Sequence, residues 1–278
     1  MISAMVYRRA SQIVAVLFLV LVSIIFLFPI YWLVSSALKS TGRLWAIPPK
    51  LLPNLGLGHV WHIIAVNHLG VFFWHSLIES VASTIVVLVL ATMMAYSLSR
   101  HRWKHRTGIA NFILSLKIMP PIAVIIPLYL MFTTIGLYDT VPGMIIVYTL
   151  FNLPLATWLM LGFMRQIPME LDESARVEGA SDWQVLRHII LPLIKASLVG
   201  IGAVCVMFAW NDYIFAVSLT NTHAVTLPVA TEGFLGDYIY QWSSFYASGS
   251  LEIVPMVILA LILQRYLIRG LSMGALNN

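Results

Sequence analysis

Apolar residues run through this chain in blocks of about 20 or more, the length a helix needs to cross a bilayer core at about 1.5 Å per residue. The first block, Ile13 to Ser35, lies in a stretch without charge between Arg9 and Lys39. A second ends at Ser99, and a third begins near Ile109 and is interrupted by Pro120 and Pro121. Three more lie at about Val141 to Met164, Ile194 to Ser218 and Leu251 to Ile268. No two-residue alternation supports a barrel. The pattern predicts an all-α membrane protein with six transmembrane helices, a single domain over residues 1–278.

One long segment breaks the pattern. Residues 165–193 contain the polar run "ELDESARVEGASDWQVLRHIILP", Glu170 to Pro192. Pro168 suits a first helical turn, where its missing N–H costs nothing, and Glu170, Asp172 and Glu173 complement the positive end of the helix dipole. Gly179 can take the left-handed conformation that ends a helix. Ser181 is then an N-cap, with Gln184 three residues on completing a capping box. The segment predicts helix, glycine turn, helix, with Pro192 breaking the chain before it re-enters the bilayer near Ile194.

Composition narrows the class: 60% hydrophobic and 10% charged residues exclude an ordinary soluble domain. Arg8 and Arg9 precede the first block as they would in a signal peptide, but its core is too long and lacks a small-x-small cleavage site, so it is retained as a helix. Orientation follows from the cations. Six spans put both termini on one face with Arg100, Arg106, Arg165, Arg176 and Arg265, whereas the opposite face holds only Lys39, Arg43 and Lys50 in the loop after the first span, and the loops around Asp139 and from Thr220 to Ser250 hold neither Lys nor Arg. By the positive-inside rule the termini and the polar segment are cytosolic. The run "RHRWKHR" at Arg100 to Arg106 then meets lipid phosphates, not nucleic acid.

Candidate chemistry is sparse. Cys205 is alone, the eight His are scattered, no zinc-protease pair occurs, and no Walker-type glycine loop is present to hold a nucleotide. The chain is therefore expected to catalyse nothing, to bind no metal or cofactor of its own, and to draw on a partner protein or an ion gradient for energy.

The polar segment keeps a specific spacing: Glu173-Ser174-Ala175, three residues, Gly179, nine residues, then Ile189-Ile190-Leu191-Pro192. It resembles the signature of permease subunits of ATP-binding-cassette importers, with Ser174 in place of the usual central Ala. "MPPIAVIIPLYLMFTTIGLYDT" from Met119, "FAWNDYIFAVSLT" from Phe208, "TLPVA" from Thr226 and the end "QRYLIRGLSMGALNN" are similar to the carbohydrate branch, in particular the smaller permease of the maltose type. His75 stands where that branch usually has Asn, and the tail ends Asn277-Asn278 where many members end Lys-Gly. The resemblance implies a type I importer permease of the cytoplasmic (inner) membrane, with a coupling helix that docks on an ATPase. Glu170, Glu173, Ser174, Ala175, Val177, Gly179, Leu191 and Pro192 are the residues it implies for coupling. The partners implied are a second homologous permease, two ATPase subunits that bind the ATP and magnesium, an extracytoplasmic solute-binding protein and a sugar.

For the substrate path, the candidates are Pro120 and Pro121, whose freed carbonyls suit a water-filled cavity, and the cluster Trp210, Asn211, Asp212 and Tyr213. The amide and carboxylate of that cluster could bind sugar hydroxyls, with the aromatic faces on the ring; equally, Asn211 and Asp212 could cap or bend the helix. Glu79 and Lys117 could pair across the second and third spans, or lie at the interface and snorkel. The rival class is an ion-coupled secondary transporter, which would predict an internal inverted repeat that the chain does not display.

Overall fold

The uncharged stretch after Arg9 belongs to one long helix, α1 (Ile2–Ala37). The structure, a computed structural model, describes residues 2–101, 104–235 and 242–274, and side chains only from residue 12 to 264 within that range. Arg102 of the basic run and the tail Asn277-Asn278 lie outside the described residues. The remaining helices are α2 (Thr41–Leu44), α3 (Leu57–Val66), α4 (Leu69–Arg100), α5 (Arg106–Ser115), α6 (Pro121–Ile135), α7 (Val141–Met164), α8 (Glu170–Val177), α9 (Asp182–Val185), α10 (Leu191–Trp210), α11 (Ile214–Leu219), α12 (Leu227–Glu232) and α13 (Trp242–Gly274). No strand occurs among the described residues. Among the described residues, five helical stretches are long and apolar enough to span a membrane, and α5 with α6 makes a sixth if that bent pair is one span.

The chain divides into two compact units, one of residues 1–69 and 231–251 and the other of residues 70–230 and 252–278. In the first unit, the apolar side chains of α1 lie almost entirely exposed along its span. Its end is tied down: Ala37 packs with Ile63 of α3 and Ala247 of α13. The Lys39 ammonium, buried at the turn beyond, sits 3.9 Å from the centre of the Trp32 ring. Leu55 N–H donates to the Leu38 carbonyl at 2.9 Å, closing the loop after α2.

The second unit is built on α4, α7 and α10. Val87, Ala91, Ala95 and Leu98 of α4 recur at helical spacing and meet Ala156, Met160 and Met164 of α7 and Ile194, Ile201 and Cys205 of α10. Small residues let these helices approach closely, which is how packing replaces the hydrophobic effect inside lipid. Gly202 shows the tolerance: a Cβ there would stand 3.1 Å from Leu88 Cδ1. A second cluster joins Phe132 of α6, Met144, Val147 and Tyr148 of α7, and Phe215, Ala216 and Leu219 of α11.

The third and fifth spans decide how the sequence pattern fares. The third is interrupted at its two prolines, as expected: α5 and its 3-10 extension Leu116–Ile118 meet α6 at 87°. Met119 and Pro120 are extended there, as residues before proline prefer, and Pro121 opens α6 in the first turn. The fifth ends at Trp210, not Ser218, because Asn211 to Tyr213 leave the helix before α11 restarts it. At its other end Pro192 does not break the chain. The helix is continuous from Asp182 to Trp210, through a π turn at Leu186–Ile190. A proline ring crowds the carbonyl four residues back, here that of His188, and the wider turn moves that carbonyl aside.

Candidate functional site

The polar hairpin forms as its local chemistry dictates. Helix α8 carries Glu170, Asp172 and Glu173 in its first turn and Arg176 in its last, complementing both ends of the dipole. It stops at Gly179, whose φ is +92°, and Ala180 N–H donates back to the Ala175 carbonyl at 3.0 Å. Ser181 then caps α9: its hydroxyl accepts from Gln184 N–H while the Gln184 side chain accepts from Ser181 N–H at 2.8 Å. Arg176 clamps the two helices together, donating to Asp182 Oδ1 from Nε at 3.1 Å and from Nη2 at 2.8 Å.

The hairpin has an inner and an outer side. Glu170, Glu173, Ser174, Val177 and Gly179 face outward. Val177 is 90% exposed, and Leu171 and Trp183 add further uncovered apolar surface beside the charges. Ala175 is half-buried and packs, with Ala180 and Leu191, against the core that α4, α7 and α10 share, so its small size serves the seat of α8. Pro192 is exposed in the first turn of α10.

Beneath α8 lies an interaction that reading the sequence missed. Arg100, the last residue of α4, donates from Nε to Asp172 Oδ2 at 3.1 Å, with the two side chains 2% and 1% exposed. Its Nη1 donates to the carbonyls of Met164 at 3.3 Å and Ile167 at 3.2 Å. In the sequence Arg100 signals orientation and, with the rest of its basic run, contact with lipid phosphates, and Asp172 signals only a helix start; buried on Asp172, Arg100 does not reach phosphates.

At the far end of α7, the loop acid Asp139 makes a comparable knot. Its carboxylate accepts from the backbone N–H groups of Asn221, Thr222, His223 and Ala224 at 2.8–3.2 Å and from His223 Nδ1 at 2.9 Å. Burial would raise its pKa, but these donors outweigh it and hold the carboxyl well below the usual carboxylate range. Successive N–H groups converging on one anion form a nest.

The path candidates do not converge into one polar patch. Trp210 is buried in the core, its indole N–H donating to the Glu252 carbonyl at 3.1 Å. Asp212 Oδ2 accepts from Ala216 N–H at 3.2 Å and so caps α11. Asn211 is exposed and donates to the Met207 carbonyl at 2.7 Å, closing the end of α10. Tyr213 is half-buried beside them. Pro120 is exposed and Pro121 half-buried at the bend of the third span. Glu79 and Lys117 do not pair. Lys117 Nζ donates to the Phe151 carbonyl at 3.0 Å and lies 4.6 Å from the Phe208 ring centre, while neither oxygen of the buried Glu79 carboxyl has a hydrogen-bond partner. His75 Nδ1 lies 3.1 Å from the Val225 carbonyl.

Broken apolar spans and a tethered hairpin with an uncovered outer face define a polytopic helical protein. The chain belongs to the family described as the inner membrane component of binding-protein-dependent transport systems, which matches residues 87–273. It is 33% identical over 262 residues to a trehalose transport system permease protein of Mycobacterium tuberculosis, covering 90% of this chain and 92% of that one. A melibiose/raffinose/stachyose import permease protein of Bacillus subtilis is 31% identical over 275 residues, 97% of this chain and 98% of the other. The fold is shared with a chain from the crystal structure of a bacterial ABC transporter involved in import of the acidic polysaccharide alginate. That likeness has a TM-score of 0.76 at 23% identity and covers 93% of this chain and 96% of that one. The chain is thus an ABC transporter permease of the multi-pass inner membrane type, a transport component.

Proposed function

We propose that this chain is one permease subunit of an ATP-driven sugar importer, supplying half of the translocation path and coupling to its ATPase through Glu170 to Pro192. The observation that carries the sugar reading is similarity over nearly the whole chain to permeases named for trehalose and for melibiose, raffinose and stachyose. The absence of Lys and Arg from Thr220 to Ser250 agrees with a neutral ligand at that loop better than with a strongly anionic one.

A second, homologous permease completes the path, and a pair of ATPase subunits holds the ATP and magnesium. An extracytoplasmic binding protein delivers the sugar. Both termini and the hairpin face the cytosol, a reading the cation distribution supports. Closure of the ATPases moves α8 as a rigid lever and switches the pathway between inward and outward facing. The substrate is moved without chemistry, and of the path candidates the exposed Pro120 at the third-span bend and the exposed Asn211 have surface to offer its route.

Purification of the tagged chain from its native membrane in mild detergent, followed by mass spectrometry, tests this reading. The expected result is co-purification of an ATPase with a Walker motif and of a second polytopic permease. Recovery of the chain alone, still supporting uptake of trehalose or melibiose when reconstituted by itself, would instead identify an ion-driven carrier.

A further inference from the structure

The hairpin explains where a partner pushes; it leaves open how the push reaches the spans. Helix α8 is eight residues long and exposed along its outer side, so its attachments to the rest of the second unit decide what moves with it. One attachment is apolar, the small side chains of Ala175 and Ala180 on the shared core. Apolar contacts of this kind slide. Two are directional: on the exposed side His101 Nε2 lies 3.7 Å from Asp182 Oδ2 of α9, and beneath α8 the buried Arg100 guanidinium fixes Asp172, the Met164 carbonyl at the end of α7 and the Ile167 carbonyl of the connecting loop in one geometry.

We infer that Arg100 and Asp172 are positioning residues for transport, a joint that makes α4 and the end of α7 follow α8 when the ATPase moves it. Three features support this. Both side chains are withdrawn from solvent, so water cannot replace either partner during a movement. Arg100 Nη2 and Asp172 Oδ1 are buried without hydrogen-bond partners, so separation would leave two bare charges where each is now only partly satisfied. The planar fork of arginine reaches a carboxylate and two carbonyls together, which lysine cannot do with one point charge. The joint is rigid, and α4 is a span whose core face runs from Arg100 back to Val87. A displacement at the hairpin is therefore delivered into the bundle as a shift of a packed helix.

The inference rests on the docking role proposed above for α8, and the test separates the two. Hydrogen exchange is measured on the complete transporter in lipid nanodiscs, first without nucleotide and then trapped with ATP, magnesium and vanadate, for peptides covering α4, α7 and α8. In the native complex all three should respond to trapping. In Asp172→Asn, nearly unchanged in shape, α8 should still respond while the nucleotide-dependent change in α4 falls at least about fivefold. Arg100→Gln should behave alike and Arg100→Lys should recover part of the α4 response. A full α4 response in Asp172→Asn overturns the inference. Loss of the α8 and α4 responses together, with the ATPase still bound, also overturns it, because the pair would then serve only to keep α8 folded. An α8 that ignores nucleotide in the native complex would overturn the docking role itself. Should Arg100→Gln fail to insert, Asp172→Asn alone decides.

Discussion

Gly179→Val will leave the permease inserted in the membrane but weaken its hold on the ATPase and cut ATP-dependent uptake in proportion. The residue sits at φ +92°, a conformation that a β-branched side chain adopts only at a cost of about 1–3 kcal/mol. A Cβ at this position would meet nothing within 4 Å, so no clash spreads into the bundle and the spans should assemble as before. The turn relieves its strain by rotating, which reorients the outward face carrying Glu173 and Val177 relative to α9. A cost of 1–3 kcal/mol charged against docking weakens association by about 5- to 150-fold. Co-purification of the ATPase at equal membrane levels of permease reads this directly. Gly179→Ala should fall between the two, and native co-purification with native uptake in the valine variant would remove the turn from the coupling mechanism.

Asp139→Asn will loosen the loop that follows α11. The substitution removes the charge on which four backbone N–H groups converge, and charge-assisted hydrogen bonds contribute about 1.5–3 kcal/mol each. A net local loss of about 3 kcal/mol, with Asn retaining one acceptor oxygen, corresponds to amide exchange at residues 221–224 faster on the order of 100-fold. The pH dependence follows from the sign of the shift. The folded carboxyl titrates below its unfolded value of about 3.9, so its contribution is fully present above that value and is lost as pH falls through the lower folded value. Protection of these amides, corrected for intrinsic exchange, should therefore be flat from about pH 5 to 8 and decline only in strong acid. A decline already under way above about pH 5 would remove Asp139 from the support of the loop.

What could be read from the sequence was local or set by hydropathy. The span Val141 to Met164 matches α7 at both ends, because Thr140 supplies a cap and Arg165 a polar stop. The glycine turn and the Ser181–Gln184 box were legible since each is satisfied within a few residues. The fifth span was read too far at one end and broken too early at the other. Phe215, Ala216 and Val217 continue the apolar run past Asn211 and Asp212, and only the side-chain caps those two make show that the helix has ended. Pro192 looked like a break because a local rule does not foresee a π turn that accommodates it. Arg100 and Asp172 lie 72 residues apart, as tertiary partners that no local pattern joins. The same holds for Asp139 and the loop at Asn221 to Ala224.

The central claim is that the outer face of α8 is the surface on which a partner ATPase acts. Val177 is the most uncovered apolar side chain of that helix, and the native Cys205 is buried, so Val177→Cys offers a single accessible thiol. Crosslinking this variant in native membranes, with Thr222→Cys at the exposed loop of the other end as a control, is the direct test. The account predicts a Val177→Cys adduct to a protein bearing a Walker motif, with a yield that changes when ATP is added, and none from Thr222→Cys. An adduct only to lipid or to other permease chains, unaffected by ATP, would contradict it.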